Sequence, residues 1–439
     1  MSNIHAKGFS HGTAYVAAVG LGLMVAAIAL GGISIARSRA TANALRRDEI
    51  RARTVARAAI EHARAAILAD SDWRSNHANG SWATEMELAD GVFSYSVENP
   101  AGALDRSSLD SVIVTGDASC GTARQRLSVQ LDAQKVALNC LNVPLVAGGA
   151  VTATSAFINP SGATIASNAG FTSVLSSVSP NVEAGLTIIG TGFSGSTTAG
   201  AAARTLPSST VFDSYIASGT AISISALPVV FLKPTLQKVV LSPSSNPYGA
   251  PNSSGIYVID CQNQSLNITN CRIAGTLVLL NPGLNTTVSG SVRWAPAVTG
   301  YPCLLVRGSV SLQLSSSSLS ENSLNVNFNP PGTPYTYPAG ATDTDTSDSY
   351  PSSITGLVYA SGNVSTSGSS SISMLMVGGT LSIGGTLTLS YDSTYANSPP
   401  PGFYTVNMTP SQGTWRFVTD ALPQSDPSES LGGAMGISN

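Results

Sequence analysis

Residues 13–36 read TAYVAAVGLGLMVAAIALGGISIA, and no Asp, Glu, Lys or Arg occurs between Lys7 and Arg37. At 1.5 Å per residue the stretch makes a helix of about 36 Å, enough to cross the hydrocarbon core of a bilayer. Small residues recur along it (Gly20, Gly22, Ala26, Ala27, Gly31, Gly32), and they allow close helix–helix approach in lipid. The expected membrane segment therefore runs from Thr13 to Ala36. A cleaved secretory signal is the alternative, with Ser34-Ile35-Ala36 as a small-x-small cleavage site. Two features oppose it: the apolar run is longer than an ordinary signal core, and a dense basic helix follows where a mature N-terminus would have to cross.

Beyond Arg37 the helical pattern continues as RSRATANALRRDEIRARTVARAAIEHARAAILAD, with no Gly or Pro between Ile33 and Asp70. Leu45, Ala52, Val55, Ala59, Ala63 and Ala66 recur at three- and four-residue steps and give one apolar stripe. Ala and Arg are strong helix formers. One unbroken helix of about 57 residues, on the order of 85 Å long, is expected. Its outer half is amphipathic, so something must cover the stripe.

The cover follows in sequence. Val92–Glu98, 111–115 and 122–131 carry the period-2 alternation of half-buried strands, with Phe93, Tyr95 and Val97 on one face and Leu127, Val129 and Leu131 on another. Asn99-Pro100-Ala101-Gly102 and 116–121 supply turns. A long helix packed on a small antiparallel sheet is expected, with residues 9–70 as helix and 71–139 completing the module.

From Cys140 the character changes. Helical periodicity disappears, and short apolar runs recur between Gly, Asn and Ser. The phrase SGNVSTSGSSSISMLMVGGTLSIGGTLTLSYD, residues 361–392, reads as consecutive faces of a coil with aliphatics inward and Ser, Thr and Asn outward. Residues 140–420 are expected to form a right-handed parallel β-helix, a β-solenoid, with a β-sandwich as the alternative. The whole is then α+β followed by mainly β. Pro330–Asp348 breaks the pattern and reads as a surface excursion. Residues 421–439 read as a disordered polar tail.

Composition sets limits on function. Only 10% of the 439 residues are charged, against a usual quarter. Residues 1–75 hold ten Lys/Arg against five Asp/Glu, net +5, while residues 76–140 and 141–439 are each net −4. The basic excess sits beside the membrane segment, where it can meet anionic head groups. It does not form a surface for nucleic acid.

These residues together resemble the type IV pilin and pseudopilin family over about residues 5–135. The shared pattern is a polar leader ending Lys7-Gly8, Phe9 at the junction, an uncharged segment, and one long helix running into a small antiparallel sheet. The nearest subgroup is the PilX-like minor pilins and K-type minor pseudopilins of type II secretion. The resemblance implies a leader of residues 1–8 cut between Gly8 and Phe9. Major pilins carry Glu where this chain has Thr13, and K-type minor subunits lack that Glu too. It also implies partners: the membrane and other pilin or pseudopilin subunits bound through the helix.

Candidate chemistry is sparse. All four histidines precede residue 78, so the β domain cannot build a Ser-His-Asp or Cys-His site from its own residues. A catalytic β-helix acting on polysaccharide would need Asp260, Glu321 and Asp392 to converge. Cys261 and Cys271 are close enough in sequence for a local disulfide in an oxidising compartment, with buried thiols as the alternative. Asp343, Asp345 and Asp348 alternate in the excursion as oxygen ligands for Ca²⁺ do. They lack the glycine and terminal Glu of an EF-hand loop, so a solvated loop with Asx-turns is the simpler reading.

The expected function is a non-enzymatic cell-envelope subunit, anchored once in the inner membrane, displaying a β-helix for adhesion or recognition of a surface ligand or polysaccharide. No cofactor is expected beyond the Ca²⁺ alternative. A membrane-tethered β-helix enzyme and a signal-peptide-exported β-helix are the alternatives. Topology is contested within the sequence. Six arginines from Arg37 to Arg53 against Lys7 place the C-terminal domains in the cytoplasm by the positive-inside rule. The family resemblance places them in the periplasm or at the cell surface, and that placement is adopted here.

Overall fold

The structure, a computed structural model, describes residues 11–70, 72–89, 91–160, 162–333 and 342–418. The leader junction Gly8-Phe9 and the tail 421–439 lie outside the described residues. The chain divides into two compact units, one made of residues 1–134 and 406–439, the other of 135–405.

The first unit begins with α1 (His11–Ala69), a single helix of 59 residues. Every residue from Tyr15 to Asn43 is exposed, and burial starts in earnest at Ala52. From there Ala52, Val55, Ala56, Ala59, Ile60, Ala63 and Ile67 form the buried face. The expected stripe is therefore displaced at its ends: Leu45 lies before the sheet and is exposed, and Ala66 is only half-buried while Ile67 beside it takes the core position. Past Ala69 the carboxylate of Asp70 accepts from Asp72 N and Asn76 Nδ2, turning the chain into the short helix Trp73–Asn76.

Four antiparallel strands follow: β1 (Gly80–Leu88), β2 (Gly91–Glu98), β3 (Val112–Cys120) and β4 (Ala123–Ala137), paired in that order. In β2 and β3 the buried residues alternate, and Phe93, Tyr95, Val97, Val112 and Val114 face the helix stripe in one core. Gly116 of β3 lies where α1 crosses, and a Cβ there would overlap the Ala56 carbonyl and press on Ala59 and Ile60. The sequence reading missed β1, whose burial does not alternate cleanly. It also missed the sheet's last members. Tyr404–Pro410 and Arg416–Phe417 both bond to β4, and Met408 enters the core. The expected β domain, drawn to residue 420, therefore contains residues that complete the first unit's sheet.

The second unit is built of parallel strands, which decides for a solenoid over the sandwich. One ladder joins, in register order, Thr220–Ala221, Ile256–Asp260, Thr276–Leu280, Leu304–Arg307, Ser353–Ala360, Ser369–Val377, Leu145–Ala147, Thr164–Ser167, Asn181–Ala184 and Thr197–Ala199. A second runs alongside from Lys233–Gln237 through Asn267–Ala274, Thr287–Ala295, Val310–Leu314, Val364–Thr366, Leu381–Leu389 and Val151–Asn159 to Phe171–Val174 and Ile188–Gly190. Where successive coils bend out of this ladder, a left-handed residue turns the backbone: Lys238, Asn270, Gly290, Gly385 and Ser155. Inward aliphatics from the ladders form one continuous core.

The order of coils is not the order of the sequence. The first strand, Leu145–Ala147, has neighbours on both sides, Thr164–Ser167 on one and Ser369–Val377 on the other. The chain thus enters mid-stack and winds outward to Thr197–Ala199. Residues 200–219 carry it back past the other coils to Thr220. Hydrogen bonds mark that passage: Arg204 with Asn168, Pro207 with Tyr359, Asp213 with Arg307. Nine strand spacings of about 4.8 Å make about 43 Å, within reach of a segment of that length. From Thr220 the chain winds inward until Leu381–Leu389 closes on Val151–Asn159. Val151–Asn159 and Thr164–Ser167, the second and third strands of the unit in sequence, therefore lie inside the stack and not at its end.

Candidate functional site

Three features of the described residues bear on function: the free part of α1, a cleft beside it, and an acid cluster in the second unit.

The apolar part of α1 is long enough and apolar enough to cross a membrane. Its best 18-residue window has a mean hydropathy of 2.3 and none of that window is buried. A Cβ at Gly20, Gly22, Gly31 or Gly32 would meet nothing within 4 Å, and Ala36 is exposed. Thr13 lies within the helix. The small residues of this segment are thus covered by no part of this chain's described residues. A helix of that composition in water would expose an apolar surface far beyond what monomeric soluble proteins carry.

At the start of the buried stripe, Arg53, Thr54 and Arg57 of α1 line a cleft of about 520 Å³ with Leu127, Trp415, Arg416 and Phe417. The Arg53 guanidinium lies 4.8 Å over the Phe417 ring and that of Arg57 lies 5.4 Å over Trp415. Stacking of this kind fixes a guanidinium through its face and leaves its N–H edge to meet an anion. Among the described residues no carboxylate forms an ion pair with Arg53, Arg57 or Arg416. Sequence reasoning could not find this cleft, because its two walls are more than 350 positions apart and meet only through the returning strand.

The segments on either side of the expected excursion share a small core of Leu319, Phe328 and Tyr350 with Val240. Leu319–Ser320 pairs with Ser349–Tyr350, and the short helix Glu321–Leu324 is capped by the Ser320 hydroxyl. Oxygens of Glu321, Asp343 and Asp348 all lie within 4.8 Å of one another, and Glu321 is fully buried. Phe328 N and Tyr350 OH donate to Glu321 Oε1, at 2.5 and 3.1 Å. Asn329 Nδ2 donates to Asp348 Oδ2 at 2.7 Å and to Asp343 Oδ2 at 3.2 Å. The Arg272 guanidinium bonds the Phe328 carbonyl at 2.7 Å and lies over the Tyr350 ring. Of the acids expected to converge, Asp343 and Asp348 do. Asp345 does not: its Oδ1 accepts from Ser347 N at 2.8 Å in an Asx-turn, and hydrogen bonds with Ser347 hold its carboxyl below the usual range. Glu321 takes its place in the cluster. The three clustered carboxylates have the ligand chemistry of a hard cation such as Ca²⁺.

Cys261 and Cys271 are both buried thiols outside any disulfide, and Cys120, Cys140 and Cys303 are buried too. No disulfide joins the expected pair. Burial pushes the Cys261 thiol up to about 12 and raises that of Cys271 as well, which makes them unreactive hydrophobes of the core. The acids that a catalytic reading needs have separate partners. Asp260 accepts from Gln262 N and Asn281 Nδ2, Asp392 from Thr394 N, and Glu321 from Phe328 N and Tyr350 OH.

No protein-family model matches the sequence, and no curated protein matches it. Among solved structures, this chain is similar to the crystal structure of the competence-associated pilin ComZ from Thermus thermophilus. That match has 10% identity, covers 85% of this chain and 98% of that one, and has a TM-score of 0.30. A likeness at that score carries no inference about this chain.

Proposed function

We propose that this chain is a non-enzymatic cell-envelope subunit of the type IV pilin-like class, a minor pilin or pseudopilin that displays a β-helix outside the inner membrane. The single observation that carries the reading is α1. One continuous helix is apolar and exposed from Tyr15 to Ala36, then packed on an antiparallel sheet over its second half. The first half needs lipid, or the helices of neighbouring subunits, to cover it. The paired arginines Arg53 and Arg57 are available to acidic groups of such neighbours. The β-helix, with its Ser/Thr/Asn-rich outer face, is the part presented for adhesion or recognition. Mass spectrometry of the mature N-terminus tests the reading. A chain beginning at methylated Phe9 supports it; one beginning at Arg37 overturns it in favour of a cleaved secretory signal.

A further inference from the structure

Phe231 and Leu232 are the two central residues of a tight hairpin, in which Val230 pairs with Lys233 and Val229 with Pro234. Their φ angles are +49° and +65°. That is the type I′ geometry, whose usual occupants are Asn-Gly because both positions are left-handed. Bulky side chains are strained there. Nor does the fold recover anything from them: Phe231 is 94% and Leu232 96% exposed. Leu284, 97% exposed, is beside the hairpin, since Lys233 Nζ reaches the carbonyl of Asn285 at 3.5 Å. Val229 adds further exposed apolar surface.

We propose that the Phe231-Leu232 tip, together with Leu284, inserts into the interface of a lipid bilayer that carries anionic headgroups. The tip projects from its loop, so its occupant must close around it, as acyl chains do. The loops stacked beside it are in register, because Thr235, Asn267 and Thr287 are successive parallel neighbours. Those loops read ALPVVFLK (226–233), CQNQSL (261–266) and NPGLNT (281–286). They contain one cation, Lys233, and no acid, so entry into the headgroup layer strips water from no carboxylate and brings an ammonium to lipid phosphate. The nearest acid preceding these loops, Asp260, is already bonded to Gln262 and Asn281. This inference stands apart from the filament reading and survives its failure.

The test uses the full chain reconstituted in vesicles of phosphatidylcholine with phosphatidylglycerol. Asn285→Cys carries an environment-sensitive fluorophore; the native cysteines are all buried, so the label reports one place. Emission is expected to shift to the blue, and a lipid-borne quencher to cut it at least threefold, more weakly in phosphatidylcholine alone. Phe231→Asn with Leu232→Gly suits the turn better than the native pair, so it keeps or raises the unfolding midpoint while abolishing the quenching. Emission at the water value overturns the proposal, as does quenching unchanged in the Asn-Gly variant. A blue shift without lipid quenching overturns it too, and assigns the tip to a protein partner or a second copy.

Discussion

Leu145 and Leu375 are direct parallel neighbours in the solenoid, one on its first strand and one on its penultimate strand. Both are fully buried. The contact joins the half that winds outward from residue 145 to the half that winds inward from residue 220. Leu375→Ala or Leu145→Ala is expected to cost about 2–5 kcal/mol, as for other fully buried leucines. Either should make cleavage sites on both sides of the junction accessible in limited proteolysis. If Leu375→Ala loosens only the coils after residue 220, the two halves do not depend on each other.

A second expectation concerns how α1 meets the sheet. Gly116→Val places side-chain atoms against the Ala56 carbonyl and should cost about 1–3 kcal/mol by overpacking. Val55→Asp or Phe93→Asp buries an unpaired carboxylate in the same core and costs several kcal/mol unless it takes up a proton. All three should leave membrane insertion intact and make residues 71–134 protease-sensitive. Parental resistance in all three would mean the stripe does not pack on the sheet.

Ending the chain after Thr405 removes Met408 from the N-terminal core and strips β4 of its last partners. It also takes away the ring partners of Arg53 and Arg57. Amide exchange in β4 is expected to quicken, while exchange in the coils around Leu277 and Leu304 stays unchanged. Unaltered exchange in β4 would show that the returning segment is dispensable.

The pH dependence of the sheet should include Asp117. Its carboxylate lies 2.6 Å from Arg124 and 2.8 Å from Arg126. Hydrogen bonding from Arg124, then from Arg126, holds its carboxyl below the usual range. A depressed acid contributes stability that is fully present above its unfolded value of about 3.9 and is lost as pH falls through the lower folded value. Because the pair is partly exposed, the contribution is at most about 1 kcal/mol after solvent screening. Asp117→Asn should flatten the unfolding midpoint between pH 4 and pH 2 relative to the parent. Identical profiles would remove Asp117 from the account.

In the acid cluster, Glu321→Leu leaves Phe328 N and Asp348 N without the carboxylate they donate to, while Tyr350 OH keeps Asp348 Oδ2. Each orphaned donor costs about 1–3 kcal/mol, so residues 319–350 should open locally while the ladders hold. Proteolysis confined to this segment is the expected readout, and resistance equal to the parent would contradict it.

Much was legible from local pattern. Helix α1, the alternation in β2 and β4 and the solenoid class follow from periodicities of 3.6 and 2, which act over a few residues. Asp343 and Asp348 were legible as a pair because one short loop holds them. Glu321 was not, because only the pairing of Leu319 with Tyr350 brings it to them.

The sequence by itself determined what each segment is: an apolar helix with an amphipathic continuation, a small sheet, and aliphatic coils that need stacking to bury their inner faces. Tertiary structure alone decided which segments meet. Parallel coils of similar inward composition offer nearly equivalent edges to one another, so no local pattern says that the strand at residue 375 should close on that at 145. Likewise no periodicity marks Tyr404–Pro410 as the missing partner of β4. That choice is made by an open sheet edge and a gap in the core that Met408 fills, and neither exists until the rest of the unit has formed.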